Sequence, residues 1–193
     1  MNTGKKGKIV VISAPSGCGK STIINSILGT GELSLRFSVS ATNRSPRAGE
    51  VDGVHYHFMT NQAFRDAVAA GEFLEWEEVY PGRYYGTLRS ELTSGVERGE
   101  NIILDIDVKG ALNVKKQFGD NALTIFIMPP SVEELKRRLE KRGTDAPEVI
   151  AERIDKAEYE ISFAPQFDVT IVNDDLPVAV SAAEAAISAF LAS

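Results

Sequence analysis

One stretch constrains this 193-residue chain more than any other: Ala14-Pro15-Ser16-Gly17-Cys18-Gly19-Lys20-Ser21-Thr22. Before it, Lys8–Ser13 is a short β-branched run of the kind that forms a buried parallel strand. After it, Ile23, Ile24, Ile27 and Leu28 recur at helical spacing until Gly29 and Gly31 end the helix. Strand, glycine-rich turn and helix are the setting in which G-x-x-x-x-G-K-[ST] cradles phosphates. Gly17 and Gly19 let the backbone turn its N–H groups inward, and the helix N-terminus adds a positive dipole end. Lys20 would bridge the terminal phosphates as a point charge, and the Ser21 hydroxyl would ligate Mg²⁺. The first position is Ala14 instead of glycine, a small change if that residue is extended. Cys18 is read as a space-filling loop residue, although a thiol at a helix N-terminus can also have a lowered pKa.

The rest of the chain alternates strands and helices. Asn101–Asp107 and Leu123–Met128 read as strands, the latter stopped by Pro129-Pro130. Ser131 to Glu134 fits a capping box that opens a helix carrying Leu135 and Leu139, with Gly143 ending it. Pro147 sits well as the first residue of another helix, Asp168–Val172 reads as a strand, and an alanine-rich helix follows Leu176. Such alternation predicts an α/β fold with a parallel sheet covered on both faces. Residues 38–95 change character and read as an insertion of short strands (Arg36–Ser40, Val54–Met59, Phe73–Val79) and a helix after Asn61 with Phe64 and Val68 inward. Residues 131–157 read as a helical excursion rich in both charges, leaving 1–37, 96–130 and 158–193 as the core.

Charge narrows the partners. The net charge is −6, which argues against general nucleic-acid binding and against an anionic membrane surface. No apolar run approaches the roughly 18 residues of a membrane span, and the lysines before Ile9 imitate a signal peptide only faintly. A single cysteine excludes a disulfide framework within the chain, and a cytoplasmic location is the expectation. Yet residues 1–47 hold seven basic residues and one acid, a segment of +6 that leaves −12 on the remainder. A small anionic ligand could be held there.

The insertion points to the second ligand. Arg44 and Arg47 flank Ser45-Pro46, and two guanidinium forks on a stiffened loop suit one terminal phosphate; taken alone, a solvated basic turn is an equal reading. Tyr56, Phe73-Leu74-Glu75-Trp76 and Tyr84-Tyr85-Gly86-Thr87 follow. A guanine edge offers N1–H and N2–H₂ donors beside O6, so a carboxylate with a hydroxyl complements it, whereas adenine pairs poorly with a carboxylate. Trp76 is read as core. His55 and His57 have no metal-type partners nearby, and neither is read as catalytic. Lys136, Arg137 and Lys141 are read as surface charges.

The segments Ser13–Thr22, Ser38–Glu50, Glu72–Trp76, Tyr84–Thr87, Ile103–Asp107 and Ile171–Asp175 closely resemble the guanylate kinases, collinearly over about residues 8 to 190. That resemblance implies a P-loop three-layer α/β fold with a central mostly parallel sheet, a small mixed GMP-binding insertion and a helical lid. It implies transfer of the γ-phosphoryl of ATP to GMP, and to dGMP as well, with Mg²⁺ accompanying the ATP. By similarity, Ala14 through Thr22, together with Arg142 and Asn173, would bind ATP. Ser40, Glu75 and Asp107 would read guanine. Arg44, Arg47, Tyr56 and Tyr85 would hold the GMP phosphate, Thr87 would keep a hydroxyl role, and Glu50 and Asp105 would lie near GMP. Lys20, Arg44 and the lid arginines Arg138, Arg142 and Arg153 would surround the transferring phosphoryl group. The lid and GMP-binding part would close on the substrates and expel water.

Rival readings stay in view. A kinase for ribose bisphosphate or another nucleoside monophosphate lacks a use for Ser40, Glu75 and Asp107 together. A non-catalytic guanylate-kinase-like binding module typically lacks an intact phosphate loop, which Gly17, Gly19, Lys20 and Ser21 provide here. A signalling GTPase would need N-K-x-D, which is absent. The sequence leaves the oligomeric state open.

Overall fold

The computed structural model describes residues 6–142 and 146–193, with the side chains of 79, 80 and 142 outside the described set. Along the chain run β1 (Ile9–Ser13), α1 (Lys20–Thr30), β2 (Leu35–Phe37), β3 (Ala41–Thr42), β4 (His57–Phe58), α2 (Asn61–Ala69), β5 (Phe73–Tyr80) and β6 (Arg83–Leu88). There follow α3 (Arg89–Glu97), β7 (Asn101–Asp105), α4 (Val108–Phe118), β8 (Ala122–Met128), α5 (Val132–Arg142), α6 (Pro147–Ile161), β9 (Val169–Val172) and α7 (Leu176–Ala192).

The expected α/β architecture is present. One sheet is parallel and five-stranded, in the order β2-β7-β1-β8-β9; a second is mixed and four-stranded, in the order β4-β3-β6-β5. All five residues of β1 and six of the seven in β8 are buried. Strands covered on both faces carry continuous apolar runs, and these two do. The chain divides into two compact units, Met1–Ile9 with Arg36–Ile102, and Val10–Leu35 with Ile103–Ser193.

In the second unit the core joins Val10 and Ile12 to Ile23, Ile24 and Ile27 of α1, Leu135 and Leu139 of α5, and Ala179, Ala183 and Ile187 of α7. The first unit has its own small core, in which Phe64 and Ala67 of α2 pack on Ala41 and Phe73, flanked by Val68, Tyr84 and Leu88. Phe64 and Val68 therefore face inward as their spacing predicts.

Three local expectations change. Val54–Met59 is not one strand: the strand is His57–Phe58, and Val51–Tyr56 folds into a turn closed by an isolated Asp52–Tyr56 bridge. That turn closes on itself through Val54 N–H and His55 N–H to the Val51 carbonyl, with Gly53 at φ 72°. Val54 is consequently exposed instead of sharing a face with Tyr56 and Phe58. The strand expected over Arg36–Ser40 is Leu35–Phe37, and the one expected to reach Asp107 stops at Asp105 because Asp107 turns the chain into α4. Of the capping box the serine half is seen, with Glu134 N–H donating to Ser131 Oγ at 3.1 Å while the Glu134 carboxylate binds Arg137 and Arg138, and Pro147 does open α6. Gly143, expected to end the lid helix, lies outside the described residues.

Candidate functional site

In the second unit the loop from Ala14 to Gly19 joins β1 to α1. Gly17 and Gly19 have φ 96° and 81°, the left-handed region that favours glycine. Space is short at both as well, severely at Gly19 and by a few tenths of an ångström at Gly17. A Cβ on Gly19 would lie 2.6 Å from Asn173 Nδ2, and one on Gly17 about 3.0 Å from Leu139. Gly19 heads α1 without any side-chain cap. The first-turn N–H groups of a helix have no intrahelical acceptor, so here they are available to an anion.

Lys20 opens α1 and pairs with Asp105 at the end of β7. A cavity of about 480 Å³ is lined by Ala14, Pro15, Ser16, Gly17, Gly19 to Thr22, Asp105, Ile106, Asp107, Lys156 and Glu160. Beside it, a second of about 500 Å³ is lined by Gly17, Gly19, Thr22, Arg138, Lys141, Asn173, Asp174 and Leu176. Ser21 and Thr22 are exposed, and Cys18 is fully buried with its thiol pushed up to about 12 by that burial. A thiol so protonated fills space, as the first reading of Cys18 had it.

Two of the three arginines expected in a lid, Arg138 and Arg153, are tethered. Arg153 Nη1 donates to Ser16 Oγ at 3.0 Å. Arg138 Nε donates to Glu134 at 2.8 Å and its Nη1 to the Asn173 carbonyl at 2.9 Å. Arg142 closes α5, and its side chain lies outside the described residues. Asp107 accepts Gly110 N–H at 2.7 Å and thereby caps α4.

In the first unit the β5–β6 register sets the second constellation. Glu75 is opposite Thr87 and Glu77 opposite Tyr85, so all four share one face, while Trp76, Gly86 and Tyr84 occupy the other, toward α2. Thr42 is opposite Tyr85, and Ser40 directly precedes that short strand. The Thr87 hydroxyl is buried with no hydrogen-bond partner among the described residues, as is that of Ser38. An unpartnered buried hydroxyl costs about 1–3 kcal/mol, so a ligand or water is expected to use it.

Arg44 and Glu50 form a two-pronged pair, both bonds 2.6 Å, with side-chain exposures of only 9% and 17%. Glu50 also accepts Arg47 N–H at 2.6 Å. The Arg44 guanidinium and then the Arg47 amide hold the Glu50 carboxyl down at about 2, and Glu50 raises the Arg44 pKa in turn. Arg44 lies 5.1 Å over the Tyr56 ring, and Tyr56 meets Tyr85 edge-on at 5.9 Å. Arg44, Glu50, Tyr56 and Tyr85 are thus brought together, with Arg47 attached through its backbone.

The guanylate kinase family profile matches residues 6–190. The chain is 55% identical to a guanylate kinase of Bacteroides thetaiotaomicron, spanning 96% of this chain and 90% of that protein. It is 52% identical to one of Porphyromonas gingivalis, spanning 96% and 98%. This chain belongs to the guanylate kinase family. The crystal structure of guanylate kinase from Anaplasma phagocytophilum superimposes with TM-score 0.73 at 33% identity, covering 97% of this chain and 87% of that one.

For this family member the sequence reading missed some neighbours of the site. Glu134 was read only as part of a cap, yet it grips Arg138 as well as Arg137, which together hold its carboxyl down at about 2. Lys156, Glu160 and Asp174 line the two cavities, and Lys141, read as a surface charge, lines one of them while being exposed. Helical spacing back from the loop could not reveal α6 residues such as Lys156 and Glu160. Trp76 corrects the expectation of a core residue: it is 48% exposed, because it sits on the face of β5 where α2 covers Phe73 and Tyr84 but not the outer strand position.

Proposed function

We propose that this guanylate kinase transfers the γ-phosphoryl group of ATP to GMP, and to dGMP, releasing ADP and GDP or dGDP. The observation that carries the catalytic reading is the phosphate loop itself: left-handed Gly17 and Gly19, an uncapped α1 N-terminus, and Lys20 held at the mouth by Asp105. A binding module would have no need of that cradle.

In this reading, residues 14–22 wrap the ATP phosphates through backbone N–H groups. Lys20 exchanges Asp105 for phosphate oxygens. Arg138, Arg142 and Arg153 neutralise charge spreading over the transferring group, and Asn173 with Arg142 meets the adenine side. In the first unit Ser40 and Glu75 accept from guanine. Arg44, Arg47, Tyr56 and Tyr85 grip the GMP phosphate, with Thr87 supplying its unpartnered hydroxyl and Glu50 keeping Arg44 charged and oriented. Transfer between phosphates asks little covalent chemistry of the protein, so positioning and charge neutralisation are its contribution.

Mg²⁺ fits the donors present. Among the described residues no group of three or more His, Cys, Asp or Glu forms a metal cage. The Ser21 hydroxyl and the Asp105 carboxylate are oxygen donors of the few-ligand kind that suit a cation arriving with nucleotide phosphates. When bound, it would neutralise charge on the nucleotide phosphates. We assign residues 38–95 to GMP binding, 131–157 to the lid, and the remainder to the core. No described helix is long and apolar enough to cross a membrane, and one buried thiol suits the cytoplasm we propose.

An ADP-release assay with ATP and a panel of acceptors tests the reading. GMP and dGMP should be phosphorylated, and AMP, UMP and ribose bisphosphate should not. Turnover with any of the last three that equals turnover with GMP would overturn the assignment.

A further inference from the structure

We infer that Asn173 is a positioning residue for the phosphate loop, acting on the ATP phosphates through the Cys18–Gly19 peptide and independently of any contact with the base. Asn173 follows β9 and is only 5% exposed. Its Nδ2 donates to the Cys18 carbonyl at 2.7 Å, across 155 positions of sequence. The acceptor is a carbonyl, so only the amide NH₂ can face it, and the orientation of the side chain is fixed by chemistry.

The consequence lies on the other side of that peptide. A trans peptide is planar, so its N–H points opposite to its C=O. With the Cys18 carbonyl drawn toward Asn173, the Gly19 N–H is sent the other way. Gly19 lines both cavities, whereas Asn173 lines the 500 Å³ one and not the 480 Å³ one. Left-handed Gly19 is the residue that allows this approach, since any Cβ there would press on Asn173 Nδ2.

Asn173 is itself held at three points. Its N–H donates to the Met128 carbonyl of β8 at 2.8 Å, its carbonyl accepts from Arg138 at 2.9 Å, and its side chain bonds the loop. Arg138 is in turn fixed by Glu134, and Leu135 and Leu139 of the same helix lie against Gly17. Asn173 thus fastens the loop to the sheet on one side and to α5 on the other. Pre-set N–H donors are more effective than donors that must reorganise when the anion arrives.

The inference rests on reading the loop as the ATP phosphate site, and the test separates the two. Binding of inorganic tripolyphosphate, ATP and GMP is measured by isothermal titration calorimetry for the wild type, Asn173→Ala and Asn173→Asp. Tripolyphosphate has no base. Asn173→Ala should weaken tripolyphosphate about tenfold, the scale of one lost hydrogen bond, and ATP by at least that factor. Asn173→Asp keeps the shape but loses the donor and adds a negative charge, so tripolyphosphate should weaken further. GMP affinity should stay at the wild-type value in both, which also shows that they are folded. If Asn173→Ala weakens ATP alone, or if Asn173→Asp binds tripolyphosphate like the wild type, positioning is refuted and a base contact is what remains. A wild-type chain that binds neither tripolyphosphate nor ATP refutes the ATP reading, and this inference with it.

Discussion

At the scale of single residues, the Arg44–Glu50 pair is the most strongly perturbed in the first unit. Glu50 falls from an ordinary 4.5 to about 2 because Arg44 and the Arg47 amide stabilise its charged form. A depressed folded pKa gives stability that is complete above about pH 4.5 and is lost as pH falls toward 2. The pair should therefore contribute no pH dependence between about pH 5 and 8. Carbon-13 NMR of the Glu50 carboxyl should show a midpoint near 2 in the wild type, moving up toward 4.5 in Arg44→Gln. A wild-type midpoint near 4.5 would contradict the pairing. Lys20 and Ser21 could be read from the sequence because their partners in the motif lie within a few positions. Glu134 could not, because its importance comes from Arg138, which reaches Asn173 across 35 positions.

At the scale of elements, the cap that Asp107 supplies to α4 can be separated from the guanine reading proposed for it. Asp107 was read from the sequence as a guanine reader, and its carboxylate is found capping α4. Asparagine caps about as well as aspartate, whereas alanine costs about 1 kcal/mol. Asp107→Asn should thus keep the melting temperature while raising the KM for GMP, and Asp107→Ala should lower the melting temperature as well. Equal melting temperatures for both variants would show that the cap contributes nothing. Helices α1, α2, α5, α6 and α7 were legible from apolar spacing with caps or breakers. The short β-branched strands of the large sheet were also legible. Helices α3 and α4 went unremarked although Leu92 and Val96, and Val108, Ala111 and Val114, are their buried positions. Each has few large apolar residues, so its period stands out little from the surrounding polar sequence. The Val54–Tyr56 part of the turn reads as strand in the sequence because the alternation of Val54, Tyr56 and Phe58 outweighs the signal of Gly53.

At the scale of the whole molecule, each unit should answer to its own substrate. Hydrogen exchange with GMP alone should protect β5 and β6, and with a non-hydrolysable ATP analogue alone it should protect residues 14–22 and 173–176. Protection in the reverse pattern would exchange the two assignments. The net charge of −6 conceals the arrangement that makes this possible, since Lys20, Arg44 and Arg47 all fall in the +6 opening segment. The sequence by itself determined the phosphate cradle, the alternating α/β order and the family, because each is written in neighbouring residues or in collinear motifs. Only the tertiary structure decided that Thr87 hides a hydroxyl without a partner among the described residues, that Glu50 occupies Arg44, and that Asn173 grips the Cys18 carbonyl. Those are pairings between segments whose meeting depends on sheet register and helix packing, which no local pattern of side chains encodes.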